Sequence, residues 1–199
     1  MQITLAMLKK VYPCVNVAFL DPLNKYLPLY QIDTKPRVAA FLSQTLHESS
    51  GFTRLRESLA YSPERILEVF KCVTSRQAAV AAVQKGQVAI GDLVYGGRLG
   101  NGVNNGDGYK YRGGGLIQVT GRDQYHALGL KLGEDLTTNP QLIEKPEIAV
   151  RSACQWWADN QCNMLIEKKG IDAVTYRVNT AGLGLAHRRQ LYKDCLELL

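Results

Sequence analysis

The chain has 199 residues with a formal net charge of +6, and 46% of its residues are hydrophobic while 21% are charged. This composition is typical of a globular protein and excludes a disordered chain, and no apolar run approaches the ~18–20 residues of a membrane span. The length predicts a single domain over residues 1–199. The positive charge either favours an anionic polymer as partner or serves solubility alone. The sequence has no basic stripe with interleaved aromatic residues, so it does not predict nucleic-acid binding.

The helix signals begin at the amino-terminal end. A short apolar patch there precedes two lysines, the wrong order for a secretory signal, so it predicts a first helix and no signal peptide. Thr34 is expected to cap a helix that has Pro36 in its first turn, runs to about Ser49 and stops at Gly51. Further helices are predicted after Ser62–Pro63 toward Lys71, from Ser75 to Gly86, over 121–128 between Thr120 as cap and Gly129, from Pro146, over 171–178 beyond Gly170, and after Gly184.

Strand signals are weak, with short possibilities near 87–95 and 115–119, so the predicted fold is mainly α with little or no sheet. Half of the 18 glycines lie in the stretch 96–115. Glycine permits positive φ and close backbone approach, so this stretch is expected to form a shaped loop or else a surface loop without a role. It lacks the spacing of either glycine-rich phosphate-binding motif.

The cysteines and histidines predict neither a disulfide framework nor a metal centre. There are five cysteines at scattered positions without a CxxC pair, which is typical of reduced thiols in a reducing compartment. The three histidines have no metal-binding spacing. We therefore expect no metal and no other cofactor.

Glu48 is the most informative acidic residue. It lies seven residues after Phe41 and three after Thr45, so it falls on the face of the predicted helix that is expected to be buried. Burial and the negative end of the helix dipole both favour the protonated carboxyl, which is the form that a general acid needs. The alternative is a salt bridge from Glu48 to Arg54 or Arg56 at the rim of the fold.

A second carboxylate is needed for hydrolysis of a glycosidic bond, because one group protonates the leaving oxygen and the other activates water or attacks the sugar. Glu57, nine residues after Glu48 and beyond a glycine turn, is the first candidate. Glu64 and Glu68 are expected at exposed positions of the next helix. Asp107, in the glycine-rich loop, is the less favoured alternative.

Three segments carry a resemblance to a known family. LHESSGFTRLRESLAYSPERI, YGGRLGNGVNNGDGYKYRGGGLIQVTGRDQYHALG and RVNTAGLGLAHRR together resemble glycoside hydrolase family 19, most of all its phage endolysin and bacterial lysozyme branch. The resemblance covers about residues 36–199. It implies a lysozyme-like, two-lobed helical fold with a cleft, a smaller lobe over 62–107, and no separate wall-binding domain or cofactor.

The resemblance also implies roles for individual residues. Glu48 matches the general acid, Glu57 the general base, and Thr120 the hydroxyl that holds the nucleophilic water. The residues that it implies for substrate binding are Tyr61, Tyr111, Arg112, Gln118, Asn179 and Arg188. Two positions depart from the family pattern: Gly114 replaces an arginine, which puts substrate affinity in doubt, and Ser50 replaces a glycine.

The function implied by the resemblance is an inverting, muramidase-type endolysin that cleaves the peptidoglycan backbone for host cell lysis. Such a bacteriophage enzyme would be a monomer that stays in the host cytoplasm until a separate pore-forming protein releases it to the periplasm. Two alternatives remain, a chitinase that hydrolyses N-acetylglucosamine polymers and a non-catalytic glycan-binding module. The chitinase would predict secretion and paired cysteines, and the binding module would not need both carboxylates.

Overall fold

A computed structural model describes residues 2–199, which form eleven α-helices, three short 3-10 helices and no sheet. The α-helices are α1 (Leu5–Val11), α2 (Leu20–Tyr26), α3 (Lys35–Glu48), α4 (Pro63–Val69), α5 (Arg76–Lys85), α6 (Gln87–Tyr95), α7 (Asp107–Lys110), α8 (Arg122–Leu132), α9 (Pro146–Asp159), α10 (Cys162–Val178) and α11 (Leu185–Leu198). The 3-10 helices are Val17–Phe19, Pro28–Tyr30 and Pro140–Glu144. The prediction of a mainly α fold with little or no sheet is confirmed.

The chain divides into two compact units. The first unit takes in the residues up to Leu55 together with 115–117 and 143–199, and the second takes in 56–114 and 118–142. The smaller lobe predicted over 62–107 falls entirely within the second unit, whose bounds are wider.

The first unit is built around α3. Every residue from Val38 to Leu46 is buried, so α3 is enclosed on all sides, as expected for a helix at the centre of a core. The ring of Phe41 meets that of Trp157 edge-on, with centroids 5.4 Å apart. The helix begins and ends as predicted: Thr34 precedes it, and the chain turns away after it where Gly51 adopts φ +71°.

The second unit has its own apolar core, formed mainly by α4, α5 and α6. The strand predicted near 87–95 is wrong, because these residues form α6. Ile90 and Val94, four residues apart, are both buried, and that spacing brings two side chains to one face of a helix. In place of the strand near 115–119 there is an isolated bridge between Gly114 and Val119.

Most of the other predicted helix boundaries are confirmed. Ser62 and Ser75 each cap their helix through the side-chain oxygen. One boundary pair is wrong: α8 has Gly121, not Thr120, at its N-cap and runs through Gly129 to Gly133, where the backbone is left-handed. Gly170 interrupts α10 with φ +79°, as the sequence predicts. Within residues 2–199, no helix has both the length and the apolar character needed to cross a membrane.

Candidate active site

Glu48 is the last residue of α3, and its side chain is 21% exposed. The carboxylate forms an ion pair with Arg188 of α11, whose side chain is only 1% exposed. The partner is therefore neither Arg54 nor Arg56, the two arginines expected from the sequence. The ion pair holds the Glu48 carboxylate at the end of α3.

The guanidinium of Arg188 is held on several sides by the first unit. Besides Glu48, it donates from Nη1 to Oε1 of Gln44 at 2.7 Å and from Nε to the carbonyl of Leu183 at 3.1 Å. Gln44 is itself buried and donates to Oγ1 of Thr175 at 3.1 Å. Arg188 is thus buried with three protein acceptors, and the substrate contact that the sequence predicts for it stays a prediction.

Asn179 shapes the turn that leads to Arg188. Its Oδ1 accepts from the backbone N–H of Ala181 at 3.1 Å and of Leu183 at 3.4 Å. The same turn presents the Leu183 carbonyl to Arg188. The observed contacts of Asn179 are therefore structural, and its substrate contact stays a prediction.

Two histidines adjoin the Glu48–Arg188 pair in sequence and were not predicted to take part in the site. The Nδ1 atoms of His47 and His187 are 2.8 Å apart, which is hydrogen-bond distance. Burial, and to a lesser degree the nearby positive charge of Arg188, lower the pKa of His47 from its usual value of 6.5. A neutral ring is therefore favoured at this position.

Glu57, in the second unit, is held by uncharged donors. Both of its carboxylate oxygens accept from the hydroxyl of Tyr95, at 2.9 and 3.0 Å, and Oε2 also accepts from the backbone N–H of Gly113 at 3.1 Å. Its own backbone is fixed too, because its N–H donates to the carbonyl of Gly113 at 2.8 Å. These hydrogen bonds fix both the carboxylate and the backbone of Glu57.

Tyr61 and Tyr95 belong to a row of aromatic rings in the second unit. Phe70 lies between them and meets each ring edge-on, with centroid distances of 5.4 Å to Tyr61 and 5.8 Å to Tyr95. Burial, followed by the negative charge of Glu57, raises the pKa of both phenols, so both hydroxyls stay protonated. The substrate contact predicted for Tyr61 stays a prediction.

Tyr111 and Arg112 both form hydrogen bonds within the second unit. Tyr111 is 2% exposed and donates its hydroxyl to the carbonyl of Thr137 at 2.8 Å, so its burial argues against a sugar contact. Arg112 donates from Nε to the carbonyl of Glu57 at 3.0 Å and lies 3.8 Å from the centroid of the Tyr109 ring. Arg112 therefore supports the backbone of Glu57, in a segment where Gly114 replaces the family arginine.

Thr120 and Gln118 lie together in the second unit. The hydroxyl of Thr120 donates to the carbonyl of Gln118 at 3.0 Å, and Gln118 has a left-handed backbone at φ +56°. A Cβ added to Gly113 would be 2.5 Å from Oε1 of Gln118, so the Gln118 amide lies directly against the segment that holds Glu57. Since a hydroxyl that donates once can still accept twice, Thr120 keeps the capacity to hold a water molecule.

The alternative carboxylates have other roles. Asp107 accepts from the backbone N–H of Gly102 at 2.9 Å and so closes the glycine-rich loop. Glu64 and Glu68 lie at the surface in ion pairs with arginines, as predicted. No group of three or more potential metal ligands occurs within residues 2–199, and all five cysteines are free thiols.

Comparison with known proteins gives one decisive relative. No family-wide sequence model matches the chain. A protein of Haemophilus influenzae described as a glycosyl hydrolase family 19 domain-containing protein is 31% identical over 194 residues, which cover 97% of this chain and 95% of the relative. The chain belongs to glycoside hydrolase family 19. It is therefore a glycoside hydrolase, and the resemblance noted in the sequence is confirmed.

Solved structures of family 19 chitinases share the fold of this glycoside hydrolase. Chitinase C of Streptomyces griseus superposes with a TM-score of 0.62 at 19% identity, over 98% of this chain and 91% of that one. A bacterial family 19 chitinase gives 0.63 at 18% identity, over 98% and 94%. A class IV chitinase of Zea mays gives 0.57 at 18% identity, over 95% and 84%. The predicted lysozyme-like fold class is thereby confirmed.

Sequence reasoning on this family 19 enzyme missed Tyr95 and the His47–His187 pair. Tyr95 ends a stretch that was interpreted as a possible strand, and 38 residues separate it from Glu57, so no local spacing connects them. The two histidines each precede a residue of the ion pair, His47 before Glu48 and His187 before Arg188. Once the Glu48–Arg188 ion pair is known, it predicts that the two histidines lie close together.

Proposed function

We propose that this family 19 glycoside hydrolase is a muramidase-type endolysin that cleaves peptidoglycan between N-acetylmuramic acid and N-acetylglucosamine. The observation that carries this choice of substrate is the net charge of +6. Peptidoglycan bears free carboxylates on its stem peptides, whereas chitin is uncharged. A positively charged enzyme attracts an anionic polymer and raises its local concentration.

In the proposed mechanism Glu48 is the general acid, which gives its proton to the glycosidic oxygen. Arg188 then stabilises the carboxylate that remains, so that its interaction with Glu48 strengthens as the proton leaves. The guanidinium is fixed by Gln44 and by the carbonyl of Leu183, so it needs no rearrangement during the reaction. In this mechanism Glu48 transfers the proton, whereas Arg188 orients Glu48 and stabilises its carboxylate electrostatically.

Glu57 is the proposed general base, which takes a proton from the attacking water. Tyr95 and the Gly113 amide donate hydrogen bonds to its carboxylate, and Thr120 is proposed to orient the water. Gln118 lies beside this segment and is the first candidate for a sugar contact. Attack by water on the face opposite the leaving group inverts the anomeric centre.

The proposal extends to where the enzyme acts. Five free thiols fit synthesis in a reducing compartment, which for a bacteriophage enzyme is the host cytoplasm. Release to the periplasm would depend on a separate pore-forming protein. The enzyme would act there on the glycan strands as a monomer and without nucleic acid.

Product analysis tests this proposal. We expect the purified protein to clear chloroform-treated Gram-negative cells and to release fragments of purified peptidoglycan with N-acetylmuramic acid at the reducing end, in the inverted anomeric form. Glu48→Gln cannot donate a proton and should lower the rate by about 100- to 10,000-fold. Circular dichroism would establish that the variant is folded. A fully active Glu48→Gln variant would reject the acid role, and anhydro ends would indicate a transglycosylase.

The alternative substrate is chitin, and the observation that favours it is the fold shared with solved chitinases. Parallel digestion of chitin and peptidoglycan by one enzyme preparation distinguishes the two. Soluble N-acetylglucosamine oligomers from chitin, with intact peptidoglycan, would replace the muramidase proposal. Binding to either polymer without any product would instead favour a glycan-binding module.

A further inference from the structure

We infer that Tyr95 is a positioning residue for Glu57: its hydroxyl fixes the direction in which the carboxylate points. The inference rests on the proposed function, in which Glu57 is the general base. It assigns a catalytic consequence to a residue that ends α6 and that carries no chemistry of its own in the hydrolysis.

The hydrogen-bond geometry is the first argument. The Tyr95 hydroxyl lies almost equally far from the two oxygens of Glu57, at 2.9 and 3.0 Å. The hydroxyl proton is therefore shared between both oxygens. The Gly113 N–H, from a different segment, donates to Oε2 at 3.1 Å. Two donors from separate segments restrict the rotation of the carboxylate, which a flexible glutamate side chain would otherwise retain.

The second argument is that Tyr95 itself is fixed. Its ring packs edge-on against Phe70, and its carbonyl accepts from Nδ2 of Asn101 at 3.0 Å and from the N–H of Arg98 at 3.2 Å. The helix that it ends lies so close to α7 that a Cβ on Gly91 would be 2.6 Å from the backbone nitrogen of Tyr109. The hydroxyl therefore cannot follow Glu57 if the carboxylate turns.

The third argument concerns the proton. Burial and the neighbouring charge of Glu57 raise the pKa of Tyr95, so the phenol remains a donor throughout the pH range in which a hydrolase works. Donation to a charged acceptor is a strong class of hydrogen bond. Its loss would leave the Glu57 carboxylate with the Gly113 N–H as donor, so the carboxylate would be held less firmly.

Tyr95→Phe tests the inference, because it keeps the ring and deletes only the hydroxyl. We expect kcat to fall about 10- to 100-fold, the range that corresponds to one hydrogen bond to a charged group. KM should change little, since Tyr95 is proposed to act through Glu57 and not on the sugar. A role confined to folding would lower the melting temperature of the variant and leave the kcat of the folded enzyme unchanged.

Tyr26→Phe is the matched control. Tyr26 also donates its hydroxyl to a glutamate carboxylate, that of Glu147, but it lies in α2 of the first unit and has no part in the proposed mechanism. Tyr26→Phe should keep the wild-type kcat. An equal loss in both variants would overturn the inference, since it would trace the effect to any deleted phenol.

Glu57→Gln separates failure of the inference from failure of the proposed function. If Glu57→Gln keeps its activity, Glu57 is not the base and the proposed function loses that assignment. If Glu57→Gln is inactive while Tyr95→Phe matches the wild type in kcat, the inference alone is overturned. Should Tyr95→Phe not fold, Asn101→Ala keeps the hydroxyl but loosens its anchor. We then expect a smaller fall in kcat in the same direction, and an unchanged kcat would overturn the inference.

Discussion

In the first unit a glutamate is paired with a buried cation, whereas in the second unit a glutamate is held by a phenol and a backbone amide, neither of which is charged. Arg188 serves Glu48 from the first turns of α11 and is almost fully enclosed. Tyr95 serves Glu57 from the end of α6. The same side-chain type is thus supported by two physically different devices.

The difference matches the roles that we propose. A general acid ends its step as a carboxylate, so a fixed cation helps most after the proton has left. A general base begins its step as a carboxylate, and neutral donors suffice to keep it charged without neutralising it. Removing Arg188 should also destabilise the folded protein more than removing the Tyr95 hydroxyl, because it leaves several hydrogen-bond acceptors without a donor.

The largest expected effect is the loss of stability when Arg188 is replaced. Arg188→Met removes the donor that serves the Glu48 carboxylate, Oε1 of Gln44 and the carbonyl of Leu183. Breaking a buried ion pair by deleting one partner costs about 3–5 kcal/mol, and we expect a loss of this size in the free energy of unfolding. Urea denaturation followed by circular dichroism measures it.

Arg189→Met is the control for Arg188→Met. Arg189 is the next residue of α11 and also pairs with an acid, Asp172, but the pair is exposed. An exposed salt bridge contributes about 0–1 kcal/mol, so this variant should remain close to the wild type. Equal losses in the two variants would contradict the special position of Arg188 and would remove the contrast between the two glutamates.

The spacing of apolar residues in the sequence also predicts that Arg188 is buried. Glu48 was placed on a buried face because it lies three and seven residues from apolar neighbours. Arg188 lies three residues before Leu191 and seven before Cys195, both of which are buried. The same spacing argument places Arg188 on the apolar face of α11, and two opposite charges on buried helix faces predict an ion pair.

Other parts of the molecule could not be predicted from local patterns. The caps of α3, α4 and α5 and the glycine stops of α3 and α5 are local signals, and the sequence predicts them correctly. α6 was interpreted as a possible strand because its short apolar stretch fits both periods. The contact between Tyr95 and Glu57 depends on how α6 packs against α7, and no sequence spacing encodes that packing.

An intermediate effect is expected from Gly91→Ala, which tests whether that helix packing supports the Glu57 environment. The new Cβ would be 2.6 Å from the backbone nitrogen of Tyr109, and backbone cannot give way as a side-chain end can. Overpacking of this kind costs about 1–3 kcal/mol. The melting temperature should fall because of the overpacking, and kcat should fall because α6 carries Tyr95.

The sign of the Gly91→Ala result is informative without a further variant. Gly91 lies inside a helix, where glycine is about 0.5–1 kcal/mol worse than alanine. Helix propensity alone therefore predicts that Gly91→Ala stabilises the protein. A stabilised and fully active variant would show that the close approach of α6 and α7 is not needed to hold Glu57.

The smallest expected effect is a pH dependence that arises beside Glu48. Burial, and then Arg188, lower the pKa of His47 in the folded protein, so the unfolded chain binds more protons at this residue once the pH falls below about 6.5. The free energy of unfolding should consequently decrease from pH 7 toward pH 5. His47→Gln should flatten this slope in urea denaturation series, whereas His126→Gln, in the second unit, should keep it. If His47→Gln and the wild type have the same slope, the protons are taken up elsewhere, and the pH sensitivity does not belong to the cation-supported glutamate.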